Sequence, residues 1–481
     1  MTAVEARAIY ASGEEQVVDT LLKQDARIRE LEARASTNSR NSSKPPSTDG
    51  FQKPAPKSLR IRSGRKPGGQ RGHSGTTLVM TESPDTVVHH PVDACSCCGR
   101  DLSSLNTERI ERRQVFDIPP MRIEVTEHRF ETKICPACHA VTTSAAAAPH
   151  EVRAPVQYGP RVQALAVYLK AYQLLPFGRS AEFLSDLFGC SLSPATIANM
   201  MEAAHQLMSA PLADIVDILT NADIGHFDET GFYVMGKRHW LHVASTKTVT
   251  FFARHPKRGT EAMNAIAVLP TFKGCAVHDF WKPYFAFGCK HAMCGVHLLR
   301  ELTFVYEVLG QQWAKLMKDL LLDIKAAVDA AKIDKETSLS DRAIRRFLRK
   351  YAAIVVFGLE ANPLPESVPG KRGRPKDTKA GNLVRRFDLY RREILAFMGD
   401  FLVPFDNNLA ERDIRMMKVE QKISGTFRSE LGAEIFCELR SYISTSRKNR
   451  VSAFDALTRL ICGDPVIPSR CANAGVNGQT T

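Results

Sequence analysis

Three acidic residues lie where side chains from distant parts of the chain can converge. Asp228 lies within an apolar run with strand character, and Asp279 ends another such run. Glu411 lies in the segment DNNLAERDIRMMKVEQKIS, which has helical periodicity. Carboxylate oxygens are the ligands that Mg²⁺ and Mn²⁺ prefer, and a pair of these ions can activate a water or a 3′-hydroxyl for phosphoryl transfer. The sequence therefore predicts a catalytic Mg²⁺ (or Mn²⁺) site formed by these three carboxylates.

The helix predicted around Glu411 has two different faces. The face that carries Glu411 also carries a row of cations, which we expect to contact DNA: Arg415, Lys418 and Lys422. The residues expected to pack inward are Leu409, Met416, Val419 and Ile423. Glu420 is turned away from the Glu411 face, so its substitution is expected to be nearly silent. A solvated amphipathic helix without chemistry is the competing interpretation.

Two Cys-x-x-Cys pairs form a second metal-binding pattern. Each pair presents two sulfurs from one tight turn, and two pairs suit a tetrahedral, structural Zn²⁺ site. The predicted zinc ligands are Cys95, Cys98, Cys135 and Cys138. A hairpin formed by the runs ERRQVFDI and MRIEVTEHRFETKI is expected to bring the pairs together. Cys97 and His139 are rival ligands, and a redox-active cysteine pair is the competing interpretation.

A basic segment over residues 51–75 contains no acidic residue and is rich in glycine and proline. Because the segment has too few apolar residues to form a core, we expect it to be disordered on its own. Flexible cations can follow a DNA backbone or enter a minor groove. The DNA contacts predicted here are Arg62, Arg65, Lys66 and Arg71. The run from Lys371 to Lys376 resembles a minor-groove hook, and a solvated basic linker or loop is the alternative for both segments.

The N-terminal region and the segment before Asp228 are expected to be helical. A short heptad pattern predicts a coiled coil, with these residues along its seam: Val17, Leu21, Gln24, Ile28, Leu31 and Ala35. Packing of this helix on its own chain is the alternative. Three further helices are predicted over 162–174, 179–188 and 194–208, with Ser193 as an N-cap. Their outline is that of a helix-turn-helix, although ordinary helical hairpins share it.

The middle of the chain has β character and the rest is mainly helical. Three runs over 224–235, 237–245 and 248–255 predict an antiparallel meander, and 274–281 predicts a further strand. Residues from about 296 to 400 predict helices, and so does the C-terminal region. The fold class predicted is therefore multidomain α+β.

Composition limits the possible functions. Of the 481 residues 44% are hydrophobic, which excludes wholesale disorder, and the longest apolar run is too short to cross a bilayer. Because no secretory signal is recognised, we expect a cytoplasmic, nucleoid-associated protein. Lys and Arg number 65 against 52 Asp and Glu, a net charge of +13 that favours a polyanionic partner such as DNA. Chemistry driven by ATP through a P-loop is not supported, because no GxxxxGK[ST] motif occurs.

Six sequence blocks in this order resemble the large transposase of the insertion sequence 66 family. The blocks are NSSKPPS, GRKPGGQRGHSG, CSCCG with CPAC, FDETGF, VHDFWKPY, and NNLAERDIRMMKVEQKISGTFRS. The resemblance implies a coiled coil and linker over 1–50, a basic linker over 51–80, and a zinc-binding domain over 85–145. It further implies a helix-turn-helix-like region over 155–210 and an RNase H-like DDE catalytic domain over 218–430, with the helical insertion inside it. Residues 431–481 are then a helical C-terminal region and tail.

The resemblance also implies an activity. A transposase of this family would cleave insertion-sequence DNA ends and transfer the strands with a divalent metal, as a homo-oligomer on DNA and with possible accessory proteins of the same element. It would use Asp228, Asp279 and Glu411 as metal ligands and Lys418 as a DNA contact. The segment from Cys294 to His297 matches a family block of unassigned role. The alternative function is that of a non-catalytic, zinc-containing DNA-binding protein.

Overall fold

The computed structural model describes residues 2–38, 40–42, 77–144, 152, 154–365 and 377–466. The DNA contacts predicted for the basic linker lie outside the described residues: Arg62, Arg65, Lys66 and Arg71. The basic run from Lys371 to Lys376 lies outside them as well. No helix of the described segments is long and apolar enough to cross a membrane.

Two helices form at the N-terminus, α1 (Ala3–Ala11) and α2 (Glu14–Ala35). Helix α2 covers the predicted heptads. The seam residues Leu21, Ile28 and Leu31 are exposed, so this chain does not cover them. The coiled coil therefore remains a prediction, because it requires a second helix against this face.

The region predicted to bind zinc contains a small hairpin of β1 (Thr132–Ile134) and β2 (Val141–Thr143). The expected hairpin of ERRQVFDI with MRIEVTEHRFETKI is wrong, since only its last residues form a strand in the described region. Val115 and Val125, central in these two runs, are exposed. Strand propensity depends largely on packing against a buried face, and these runs have none.

Four further helices lie between β2 and the central sheet and pack with the last two helices of the described residues. They are α3 (Pro160–Val167), which continues as a π-helical turn over Tyr168–Tyr172, α4 (Phe177–Phe188), α5 (Pro194–Gln206) and α6 (Ser209–Thr220). The hydroxyl of Ser193 accepts the backbone N–H of Thr196 and caps α5, as expected. DNA recognition by α4 and α5 remains a prediction.

A five-stranded sheet forms the centre of the molecule. Its strands are β3 (Ile224–Val234), β4 (Lys237–Ser245), β5 (Thr250–His255), β6 (Cys275–His278) and β7 (Lys290–Met293). The spatial order is β5-β4-β3-β6-β7. The first three strands are the predicted antiparallel meander, whereas β6 is parallel to β3 and β7 is parallel to β6. Helix α7 (Thr260–Ile266) lies between β5 and β6 in the chain.

Helices fill the segment between β7 and the region of Glu411. They are α8 (Gly295–Glu307), α9 (Gln312–Ile333), α10 (Asp341–Glu360), α11 (Lys379–Leu389), α12 (Arg391–Ile394) and α13 (Ala396–Gly399). They share a core in which Trp313, Tyr351 and Phe387 are fully buried. The last three helices are α14 (Asn408–Ser424), α15 (Glu430–Lys448) and α16 (Ala453–Ile461).

Helix α14 packs on the sheet through a different face from the one expected. Its buried residues are Ala410, Ile414, Met417 and Glu420. Val419 and Ile423, expected to pack inward, are 43% and 45% exposed, so that prediction is wrong. A polar anchor accounts for the rotation of the helix. The carboxylate of Asp413 accepts bonds from Ser245 at 2.8 Å and from Lys448 at 2.7 Å, which turns the Asp413 side of α14 towards the sheet.

Glu420 is buried, and the expectation that its substitution is silent is also wrong. Its side chain is 3% exposed, and its Oε1 accepts the Nζ of Lys170 at 2.7 Å. The pair joins α14 to the π-helical turn after α3. Removal of one member of a buried ion pair is costly because the other charge stays buried.

We therefore expect Glu420→Gln to lower the free energy of unfolding by about 3–5 kcal/mol. Urea unfolding followed by circular dichroism measures this loss. Glu261→Gln is the control, because Glu261 pairs with Lys257 with a side chain that is 63% exposed; it should change stability by less than about 1 kcal/mol. Equal losses in the two variants would contradict the assignment of a stabilising buried pair.

Candidate active site

Two of the predicted carboxylates lie at matching positions of neighbouring parallel strands. His226 of β3 pairs with Val277 of β6. Asp228 and Asp279 each lie two residues further along in the same direction. Parallel strands carry such positions to one edge of the sheet, so the pairing brings the two aspartates together.

Glu411 reaches the same region from α14, where it lies in the first turn. The start of this helix is fastened to β3 by Asn407, which is buried. Its Nδ2 donates to the carbonyl of Phe227 at 2.7 Å, and its Oδ1 lies 2.9 Å from Nδ1 of His226. Asn407 thus joins the helix of Glu411 to the residue that precedes Asp228.

Sequence reasoning did not identify Asn407. The available signal was an Asn directly before a predicted helix, which normally indicates a side-chain N-cap. Here the side chain makes no capping bond and binds β3 instead. The backbone N–H of Asn407 donates to Sγ of Cys294 at 3.3 Å, which ties the same point to the residue after β7.

The charges of Asp279 and Glu411 both act on Asp228, although in the described part of the chain the ligand oxygens of these three carboxylates do not all lie within 4.8 Å of one another. Burial raises the pKa of Asp228 well above its ordinary value, and the charge of Glu229 raises it further. The charges of Asp279 and Glu411 add to this rise in pKa, whereas the N–H of Glu229, which donates to Oδ1 at 2.8 Å, lowers it. Three acidic side chains therefore repel the carboxylate of Asp228, and of these Glu229 was not predicted.

Cys294 and His297, to which the sequence assigned no role, lie against Glu411. Oε1 of Glu411 is 3.9 Å from Sγ of Cys294 and 3.7 Å from Nδ1 of His297. In the described part of the chain these three form the one group of metal-ligand type whose atoms all lie within 4.8 Å of one another. Burial raises the pKa of Cys294 to about 12, so its sulfur is a thiol at neutral pH.

Lys418 lies beside the carboxylates, as the predicted role of a DNA contact requires. Its Nζ is 3.5 Å from the carbonyl oxygen of Gly231 on β3. Burial and the charge of Arg238 lower its pKa, whereas the charge of Asp228 raises it. Arg415 and Lys422 are exposed on the same helix.

His278, which precedes Asp279, is buried and neutral. Its ring stacks on Tyr284 with centroids 4.3 Å apart, and its Nε2 lies 3.0 Å from Nδ1 of His291. Burial lowers the pKa of His278 to about 3. This side chain supports the end of β6 and adds no charge to the site.

The two Cys-x-x-Cys turns, Cys95–Cys98 and Cys135–Cys138, are here called knuckles, and they have the same backbone pattern. The N–H of Cys95 donates to the carbonyl of Arg100 at 2.8 Å, and the N–H of Cys135 donates to that of Ala140 at 2.9 Å. Backbone N–H groups near each first cysteine lower the pKa of its thiol, which favours the thiolate that a metal needs. Within the described zinc-binding region, no three of the four knuckle sulfurs lie within 4.8 Å of one another.

Comparison with known families identifies the chain. The family model described as "Transposase IS66 family" matches residues 155–435, more than half of the sequence and all of the carboxylates described above. The chain belongs to the IS66 transposase family. A second model, the zinc-finger binding domain of transposase IS66, matches residues 93–139 and includes both knuckles.

Two further comparisons complete the assignment. A family of unknown function (DUF6444) matches residues 5–78 of this IS66 family member, which contain most of α1, all of α2 and most of the basic linker. Among curated proteins no match is found.

The repulsion at Asp228 gives the IS66 family chain a predictable pH dependence. Because its pKa is raised on folding, the folded chain binds this proton more tightly than the unfolded chain does. The free energy of unfolding therefore falls as the pH rises above the ordinary pKa of about 3.9. In EDTA, Asp228→Asn should raise the free energy of unfolding by about 1–3 kcal/mol at about pH 8, and this gain should shrink as the pH falls towards 4.

Urea unfolding of the parent and the variant at a series of pH values measures this effect. Asp186→Asn is the matched control, since Asp186 is exposed on α4, and it should change stability little at any pH. A variant of Asp228 that is less stable than the parent across the whole range would show that its carboxylate is not under repulsion.

Proposed function

We propose that this chain is a DDE transposase that cleaves the DNA ends of an insertion sequence and transfers the strands with the help of divalent metal ions. The strand order β5-β4-β3-β6-β7, with three antiparallel strands followed by two parallel ones, supports an RNase H-like catalytic domain. In such a domain the helical segment between β7 and α14 is an insertion.

The observation that carries this proposal is that the charges of Asp279 and Glu411 both act on Asp228, which is buried and has a raised pKa. A carboxylate whose pKa is strongly perturbed and that has no structural counter-ion is typical of a functional site. Asp279 uses Oδ1 to accept the backbone N–H of Trp281 at 3.0 Å, and Asp228 accepts one backbone N–H as well. In the described part of the chain, none of the three carboxylates has a Lys or Arg ion pair.

The donor set suits Mg²⁺ or Mn²⁺, because all three side chains offer oxygen ligands. Asp228 is affected by the charges of both Asp279 and Glu411, and it would hold the metal together with them. When bound, the metal would activate the attacking water or 3′-hydroxyl and stabilise the leaving oxygen. The neighbouring thiol of Cys294 is protonated at neutral pH and fits such a hard cation poorly.

The cations of α14 would hold the DNA backbone at this site. The charge of Asp228 acts on Lys418, and the exposed side chains of Arg415 and Lys422 lie on the same helix. The net charge of +13 supports binding that weakens as salt is added. Self-association through the exposed seam of α2 would supply the homo-oligomer in which transposon ends are brought together. Accessory proteins of the same element are further possible partners.

Glu411→Gln tests the catalytic role directly. The substitution keeps shape and helix propensity but removes a charge that would bind the metal. Cleavage of end DNA with Mg²⁺ should fall at least about a thousandfold, equivalent to about 4 kcal/mol of lost transition-state stabilisation. DNA binding, measured in EDTA, should persist or strengthen because phosphate repulsion falls.

The control for this experiment is Glu360→Gln, at an exposed glutamate of α10. It should cleave at the parental rate. Glu420→Gln is unsuitable as a control because Glu420 is buried with Lys170. Cleavage by Glu411→Gln at close to the parental rate would remove this helix from the catalytic site, and an inactive parent would favour a non-catalytic DNA-binding protein.

We further propose that Cys95, Cys98, Cys135 and Cys138 hold a structural Zn²⁺. In each knuckle, backbone N–H groups already donate to the sulfur of the first cysteine. Zinc would have to bring these two formed cysteine pairs together. About one Zn²⁺ per chain should copurify with the reduced protein. Cys138→Ser should lower the content measured by elemental analysis, whereas Cys97→Ser should leave it unchanged; zinc lost only from Cys97→Ser would reassign the ligands.

A further inference from the structure

Glu229 is a buried acidic residue beside the candidate active site that the proposed reaction does not use. It follows Asp228 on β3, so its side chain leaves from the opposite face of the sheet. The side chain is 1% exposed. Burial raises its pKa, and the charge of Asp279 raises it further. A carboxylate kept at such a position needs a strong partner.

Arg258 is that partner. It lies in the loop between β5 and α7, and its Nε donates to Oε1 of Glu229 at 2.9 Å. Its Nη2 donates to the same oxygen. The hydroxyl of Tyr284 donates to the other oxygen, Oε2. Both oxygens of Glu229 thus accept hydrogen bonds, and the bonds to Oε1 fix one edge of the guanidinium.

Two tryptophan rings lie close to the same guanidinium. Cζ of Arg258 lies 4.0 Å from the ring centroid of Trp281 and 4.9 Å from that of Trp240. The backbone N–H of Trp281 donates to the carboxylate of Asp279. The tryptophan that holds Arg258 is therefore itself bonded to a predicted metal ligand.

The rest of the Arg258 side chain is open to solvent, with 35% of it exposed. In the described part of the chain its Nη1 has no hydrogen-bond partner. If the arginine served only to neutralise Glu229, complete burial would strengthen the pair. An arginine fixed on one edge and packed beside two aromatic rings, with its other edge free, is suited to bind an anion from outside.

We propose that Arg258 binds a phosphate of the DNA strand that enters the site, and that Glu229 and Trp281 orient it for this contact. The inference rests on the proposed function, because it places DNA at the carboxylates. Guanidinium groups recognise phosphate through paired N–H donors, and orientation in advance lowers the entropy lost on binding.

Other cations continue from Arg258 around the site. Cζ of Arg238 lies 5.6 Å from the ring centroid of Trp240, which also contacts Arg258. Arg238 is close enough to Lys418 for its charge to help lower the pKa of that residue. The cations Arg258, Arg238 and Lys418 thus form a path for a phosphate backbone past Asp228.

The test measures DNA binding in EDTA, with single phosphates replaced in turn by uncharged methylphosphonates. The probe is a fluorescent duplex of the terminal repeat beside the gene for this chain. Arg258→Met should weaken binding about tenfold, the value of one hydrogen bond between charged groups. One methylphosphonate should weaken binding by the parent to the same extent and have no further effect on Arg258→Met.

Lys257→Met is the matched control, since Lys257 is the preceding residue and its side chain is 65% exposed. Its affinity should change by less than about twofold, and it should respond to every methylphosphonate as the parent does. If each methylphosphonate weakens Arg258→Met as it weakens the parent, Arg258 contacts no phosphate and the proposal is overturned.

A second variant covers the risk that Arg258→Met is poorly folded because Glu229 stays buried without a cation. The double variant Arg258→Met with Glu229→Gln removes both charges and should fold. It should show the same insensitivity to the one methylphosphonate. Because binding is measured without metal, the two proposals can fail separately. If the parent cleaves DNA but no methylphosphonate distinguishes it from Arg258→Met, this inference alone is overturned. If one methylphosphonate does distinguish them but the parent never cleaves DNA, the proposed function alone is contradicted.

Discussion

The repulsion among carboxylates at one end of the central sheet is the constraint on which the rest of the site depends. Asp228 and Glu229 are neighbours on β3, and the charges of Asp279 and Glu411 act on Asp228 from the next strand and from α14. Such a cluster costs free energy in the folded chain. Arg258 offsets the charge of Glu229 on one face of β3, and we propose that divalent metal ions offset the other three carboxylates on the opposite face.

The fold holds these charges together through buried polar contacts as well as apolar packing, since Ala410, Ile414 and Met417 of α14 share a core with β3 and β4. Asn407 ties the start of α14 to β3, and Asp413 ties its middle to β4 and α15. The helices between β7 and α14 instead share a core with β6 and β7, through Cys275, Val277, Ala292 and Met293. A long separation in sequence between Asp279 and Glu411 therefore requires no displacement of α14 from the sheet.

The sequence predicted strands β3 to β6 and an aspartate in or at the end of two of them, because alternation and strand ends are local signals; it did not predict β7 (Lys290–Met293), which has only four residues. It did not predict the rotation of α14, since Val419 and Ile423 suggest one inner face and the contacts of Asp413, made to distant residues, select another. Asn407 and Arg258 were missed for the same reason: their partners lie far away in sequence. The hairpin between the cysteine pairs was predicted from residue type alone, and strand-forming residues without a buried face did not form it.

The most direct test of the central claim is where manganese binds. Crystals of the full chain with end DNA, grown with Mn²⁺, would be measured at the manganese absorption edge. The account predicts anomalous density bound by the carboxylates of Asp228 and Asp279, with Glu411 as a further ligand. Density held by Cys294, His297 and Glu411, with none at the two aspartates, would contradict it, because the soft group would then be the metal site and the repelling carboxylates would have another role.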